Sequence, residues 1–201
     1  VSYRAAGKDY RIDVKIADLF AEPGDLVISS NTTFDTDIAS GLINVDSVQG
    51  QLSVRLFDGN TAEIDRQLTE SLKGVAHRMR KNAPGKEREY PIGTVAPVRI
   101  PGRTFYFVAM SRLNDQGTAQ SSVRDIEEAL EKLWAFVATS GELRDVAIPL
   151  MGTGRGRVPL PRKKMVERIA QSFADASREK VFSNRLAVIV RPADAENFGL
   201  N

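Results

Sequence analysis

Three glycines at alternate positions, Gly152, Gly154 and Gly156, interleave with Thr153, Arg155 and Arg157 behind the apolar run Asp145 to Leu150. Glycine lets backbone N–H groups converge on an anion with no Cβ in the way, and a helix beginning just beyond adds partial positive charge. Arg155 and Arg157 supply planar donors suited to phosphate. The segment is therefore expected to cradle a phosphate or diphosphate. It has neither the Gly-Lys-Ser/Thr ending of a Walker A loop nor the glycine spacing of the dinucleotide-fold fingerprint. The plain alternative is a glycine-rich connection with two solvated arginines.

A second candidate lies where the apolar run Leu26-Val27-Ile28 gives way to Ser29-Ser30-Asn31-Thr32-Thr33-Phe34-Asp35-Thr36-Asp37. Asn31 can donate and accept at once, and Asp35 and Asp37 could take ribose hydroxyls, work as an acid/base pair or hold Mg²⁺. The competing explanation is an Asx-rich loop that satisfies its own backbone. A third candidate is Asp18, followed by Leu19, at the end of the first apolar run. Its carboxylate could accept from an exocyclic amine such as N6 of adenine, or stand solvated in a loop.

Other chemistry is excluded by composition. The chain has 201 residues and no cysteine, so thiolate nucleophiles and Cys-ligated zinc are absent. Its single histidine, His77, rules out a two-His metal site and is expected at a surface or boundary position. Trp134 reads as core. Lys and Arg number 28 against 26 Asp and Glu, a net charge of +2 that does not imply bulk nucleic-acid binding. No apolar run approaches the 18 or so residues of a membrane span, and the amino terminus carries no apolar signal core. The chain as given is thus expected to be soluble and cytoplasmic, and its start at valine leaves room for upstream segments.

The elements that must position these groups follow from hydrophobic spacing. Strands are expected at Ile12 to Ile16, Leu26 to Ser30, Gly93 to Ile100, Thr104 to Met110, Asp145 to Leu150 and Arg185 to Val190. Several are continuously apolar, the pattern of strands covered on both faces. Helical stripes run through Ile64, Leu68, Leu72, Val75, Ala76 and Met79, then from Val123 to Val137 between Ser121-Ser122 and Gly141, then through Met165, Ile169, Phe173 and Ala176. Asn82 to Arg88 reads as a solvated loop. Alternating strands and helices predict one α/β domain over 1–201, a three-layer α/β/α sandwich.

The strand Asp145 to Leu150 with Gly152-Thr153-Gly154 resembles the second phosphate-binding loop of macro domains, the ADP-ribose-binding α/β/α modules. Asp18-Leu19 resembles the Asp-hydrophobic pair with which they hold adenine, and Leu26 to Asn31 their second strand with its terminal Asn. The resemblance spans about residues 10–199 and implies a mixed central sheet. Asn31 to Thr36, Ser47-Val48-Gln49-Gly50-Gln51, Tyr90-Pro91-Ile92-Gly93-Thr94-Val95 and Ile148 to Arg157 more narrowly resemble the macro domains of Thoeris anti-phage effectors. Ser47 to Gln51 stands where ordinary macro domains carry a Gly-Gly-Gly-Val stretch. The resemblance implies a sensor of an ADP-ribose-like or imidazole adenine dinucleotide-like signal derived from NAD, bound as ligand with no metal and no further cofactor. Its site would comprise Asp18, Leu19, Asn31, Phe34, Asp35, Gln49, Gly50, Gly152, Thr153, Gly154, Arg155, Gly156 and Arg157. It also implies a TIR-domain enzyme as the source of the signal and an inner-membrane anchor in flanking segments; oligomerisation is left open. An ADP-ribosyl hydrolase using Asp35 or Asp37 is the alternative.

Overall fold

The computed structural model describes residues 1–4, 8–81, 84–151, 158–192 and 194. Ten strands are described: β1 Ser2–Arg4, β2 Arg11–Ile16, β3 Asp25–Asn31, β4 Arg78–Met79, β5 Arg88–Glu89, β6 Val95–Ile100, β7 Arg103–Leu113, β8 Ala119–Gln120, β9 Val146–Pro149 and β10 Arg185–Val190. Four helices accompany them: α1 Val48–Leu56, α2 Thr61–Ser71, α3 Val123–Ser140 and α4 Arg162–Ala176. The main sheet runs β1-β2-β10-β9-β3-β7-β6, with β8 paired to β7. From β2 through β7 every pair is parallel, and β1 and β6 add antiparallel edges, so the sheet is mixed.

Alternate residues of the same strand feed two cores. Leu186 and Val188 join Leu130, Trp134, Ile169 and Phe173 under α3 and α4, whereas Ala187 and Ile189 join Leu52, Ile64 and Leu68 under α1 and α2. Strands buried on both faces need a continuous apolar run, and β10 is one from Leu186 to Val190. The expected α/β/α sandwich is what forms. Trp134 is a core residue as expected, its indole N–H donating to Ser172 Oγ at 2.6 Å.

Helix α3 begins and ends where its caps stand: Ser122 and Asp125 form a reciprocal capping box, and Gly141 closes the last turn. The first helical stripe is shorter than its spacing predicts. α2 stops at Ser71, Gly74 turns the chain at φ +75°, and Met79 lies exposed in β4, so tertiary context and one glycine override an apolar period that continues past them. His77 is exposed, as expected, with Nδ1 3.0 Å from the Val75 carbonyl oxygen. An unforeseen helix, α1, starts at the Ser47 cap, whose hydroxyl accepts from the Gly50 amide.

Candidate functional site

Strand direction decides where a site can form. β9 leads through α4 back to β10 on one side, while β3 leads away to β7 on the other. The chain thus departs in opposite directions from two adjacent parallel strands, and a crevice opens beyond their carboxyl ends. A cleft of ≈360 Å³ lies there. Its floor is Ser29, Ser30 and Asn31 of β3 with Pro149, Leu150 and Met151 at the end of β9. The first turn of α1 (Ser47, Val48, Gln49, Gln51) closes one flank, and Arg191 and Asp194 beyond β10 stand on the rim. Leu42, Ile43, Leu113, Ala119 and Ile126 make an apolar wall.

The polar groups on this floor are not all spoken for. Among the described residues the Ser30 hydroxyl is buried with no partner, although it lines the cleft. The α1 cap leaves the Val48 and Gln49 amides without an acceptor, since Ser47 Oγ and Ser47 O take the amides of Gly50 and Gln51. A buried hydroxyl without a partner, such as that of Ser30, is uncommon in native proteins. A ligand with acceptor oxygens would satisfy it and the two amides.

Asn31 and Asp35 come together, but mainly with each other. Asn31 Oδ1 accepts from the amides of Thr33 and Asp35 at 3.2 and 3.1 Å, an Asx turn, while its Nδ2 donates to Asp35 Oδ2 at 3.1 Å. Asp35 also takes the Thr33 hydroxyl at 2.5 Å and the Lys86 amide at 2.7 Å, and its carbonyl accepts from Gln49 Nε2 at 2.5 Å. Asp35 is thus the hub that ties the end of β3 to α1 and to the loop before β5. The stretch 84–88 faces solvent as expected, with Gly85, Glu87 and Arg88 exposed, and is also tied to Asp35: Gly85, at φ +86°, lies so close that a Cβ would sit 2.6 Å from Asp35 Oδ1. Phe34, expected among the ligand contacts, packs in the core, edge-on to Tyr90 at 5.7 Å. Leu19 is core as well. Asp37 is exposed, and hydrogen bonds from Ser40 hold its carboxyl below the usual range.

Because three donors converge on the buried Asp35 carboxylate, Asp35→Ala is expected to strand them and cost about 2 to 4 kcal/mol of stability. Chemical denaturation reads this directly, and a variant as stable as the parent would refute the hub.

Asp18 lies apart from the cleft lining. It caps the short 3-10 turn Leu19–Ala21 by accepting from the Phe20 amide at 3.1 Å, and Arg55 of α1 grips it from two nitrogens at 3.0 and 2.6 Å. Those bonds hold its carboxyl below the ordinary carboxylate range. Gly50 does not line the cleft but sits where α1 presses on the backbone of Asn44 and Val45. The Gly152 to Arg157 loop, with Thr153, Gly154, Arg155 and Gly156, lies outside the described residues. Its flanks are Met151, on the cleft floor, and Val158, in the core.

Residue types alone did not single out Ser30, Arg55, Arg191 or Asp194. Asp194 is buried and joins Arg191 Nε at 3.0 Å to Arg162 Nη2 at 2.9 Å, which leaves two cations to one carboxylate at the rim. Among the described residues no group of three or more His, Asp or Glu could hold a metal ion.

A parallel-centred mixed sheet between helix pairs, with a cleft beyond β3 and β9, is the macrodomain fold. An Oceanobacillus iheyensis macrodomain mutant with ADPR matches at a TM-score of 0.66, 14% identity, 98% of this chain and 95% of that one. A Trypanosoma brucei macrodomain in complex with ADP-ribose matches at a TM-score of 0.61, 9% identity, 93% of this chain and 67% of that one. Within that class the chain belongs to the Thoeris protein ThsA macro-domain family, which it matches over residues 12–191. It is 25% identical over 148 residues to Thoeris protein ThsA of Bacillus amyloliquefaciens (strain Y2), a match covering 71% of this chain and 48% of that protein. The chain thus spans about half the length of that relative.

Proposed function

We propose that this domain is a nucleotide sensor: its cleft receives an ADP-ribose-like or imidazole adenine dinucleotide-like signal, and occupancy activates the effector to which the domain belongs. The carrying observation is the unpartnered Ser30 hydroxyl on the cleft floor, with the uncapped Val48 and Gln49 amides on its flank, at a strand-end crevice. Phosphate oxygens are the acceptors that suit a helix first turn. By the family resemblance, the Gly152 to Arg157 loop is proposed to cradle the diphosphate and Asp18 to take the adenine amine. The apolar wall of Leu42, Leu113 and Ile126 suits a planar substituent on the distal ribose better than bare hydroxyls.

The two acids that hydrolysis would need are engaged within the protein and do not line the cleft. Asp35 spends its oxygens on protein donors, and Asp37 caps an exposed turn. The signal is proposed to come from a TIR-domain enzyme that consumes NAD, and the full-length effector to be held at the inner membrane by segments beyond this chain. Among the described residues no helix is long and apolar enough to cross a membrane.

Calorimetric titration with ADP-ribose and with an adenine dinucleotide is expected to show binding of both. Asp18→Ala should weaken it by about 1 to 3 kcal/mol and Asp18→Asn by less. Chromatography after long incubation should return the nucleotide intact. Time-dependent cleavage that Asp35→Asn abolishes would establish the hydrolase instead.

A further inference from the structure

Helix α1 touches both ends of the proposed ligand path. Its first turn lines the cleft, and Arg55, in its last turn, lies about 10 Å further along the axis. There its guanidinium covers Asp18: Nη1 donates to Oδ1 at 3.0 Å and Nη2 to Oδ2 at 2.6 Å. The same guanidinium lies 4.7 Å from the centroid of the Phe20 ring, so it is stacked as well as paired. Asp18 stands beside the rim of the cleft, because the Ala17 amide donates to the Val190 carbonyl and the next residue, Arg191, lines the cleft. The carboxylate expected to read the base is thus already occupied, by a cation carried on the helix expected to meet the phosphates. Arg55 and Asp18 are each nearly half exposed, 42% and 46%, and ion pairs so exposed are weak enough to exchange.

We propose that Arg55 is a latch on Asp18: an adenine amine that takes the carboxylate displaces the guanidinium and unties the far end of α1 from the loop after β2. This rests on the assignment of Asp18 to adenine. Base identity is then relayed to α1 as the breaking of one ionic tie, and the bound base has to outcompete an internal donor. An amine that only added to a remaining Asp18 lone pair would leave Arg55 in place.

The two cases separate in calorimetry on the parent and on Arg55→Gln, titrated with ADP-ribose and with its analogue bearing hydrogen in place of the 6-amino group. The parent should prefer ADP-ribose. Arg55→Gln should bind ADP-ribose about two- to fivefold more tightly, the range of one exposed ion pair, and the analogue unchanged. In the parent, the Arg55 Nε–H resonance should shift on saturation with ADP-ribose and stay put with the analogue. A parent that prefers ADP-ribose, joined to an Arg55→Gln variant that binds it equally or more weakly, overturns the latch and leaves the base assignment standing. A parent that binds both nucleotides equally removes the assignment of Asp18, and the latch falls with it.

Discussion

Arg185→Met is expected to cost about 3 to 5 kcal/mol of folding stability at neutral pH, a large share of the roughly 5 to 15 kcal/mol that holds an ordinary domain together. The Arg185 side chain is 5% exposed. Its Nε donates to Asp13 Oδ2 at 2.6 Å and its Nη2 to Glu22 Oε2 at 2.8 Å, joining β10, β2 and the loop that follows β2. Methionine fills similar volume but leaves two buried carboxylates with one buried cation fewer. Lys15 and Arg11 reach them only from the surface, at 3.3 and 3.4 Å.

The pH dependence identifies the cause. Burial, the largest single influence, raises the Asp13 and Glu22 carboxyls, but the hydrogen bonds and charge of Arg185, joined by Ser2 and Arg11 at Asp13 and by Lys15 at Glu22, together outweigh it and hold both below their ordinary values of 3.8 and 4.5. A depressed carboxyl contributes stability above its unfolded pKa and loses it as pH falls through its folded one. The parent should therefore weaken as the pH drops below about 4.5. Without Arg185, burial prevails, the carboxyls rise, and mild acid neutralises them, so the gap between variant and parent should narrow from pH 7 towards pH 4. Urea unfolding across that range measures it; a gap independent of pH would mean that the loss is one of packing alone. The site has a stake in the result, since the same β2–β10 pair carries Asp18 and Arg191 at its carboxyl ends.

How much of this was legible in the sequence depended on whether the deciding contact was local. Arg185 to Val190 reads as a strand and is one to the residue, because burial on both faces demands an apolar side chain at nearly every position. Both ends of α3 were legible because its caps are made by neighbours in sequence, Ser122, Asp125 and Gly141. Helix α1 was not: Gly50 and Ser53 interrupt it, and Val54 faces solvent, so no apolar stripe announces it. The overlong expectation for α2 has the opposite cause, a stripe that persists through Leu72, Val75 and Met79 after Gly74 has turned the backbone.

The site divides along the same line. The Asn31 to Asp35 stretch carried its own alternative, an Asx-rich loop, and five side-chain hydrogen bonds within five residues show that the loop is what its polar groups first build. The Asp18–Arg55 pair spans 37 residues, and the Lys86 amide on Asp35 spans 51. No spacing rule reaches that far, so the partners of both acids had to be seen in the fold.

Gly50→Ala should abolish nucleotide binding and lower stability by about 2 to 4 kcal/mol, against the propensity of the residue introduced. In a helix interior alanine is favoured over glycine by about 1 kcal/mol, so a site with room would gain. Gly50 has no room: a Cβ there would stand 2.3 Å from the Asn44 carbonyl oxygen, 2.6 Å from that of Val45 and 2.7 Å from the Val45 Cα. These are backbone atoms, held in place because Asn44 O accepts both the Ser47 amide at 3.0 Å and the Ser47 hydroxyl at 2.6 Å. Relief has to come from moving the turn that caps α1 or the first turn of the helix itself. Either motion displaces the Val48 and Gln49 amides from the cleft and pulls Gln49 Nε2 from the Asp35 carbonyl. Gly102→Ala is the control, since Gly102 lies in open space at φ +77° and alanine there should cost about 1 kcal/mol and leave binding untouched. Thermal unfolding and ADP-ribose calorimetry on the two variants decide the matter. A Gly50→Ala protein as stable as its parent and with its full affinity would show that α1 tolerates the added carbon, and its first turn would lose its place in the site.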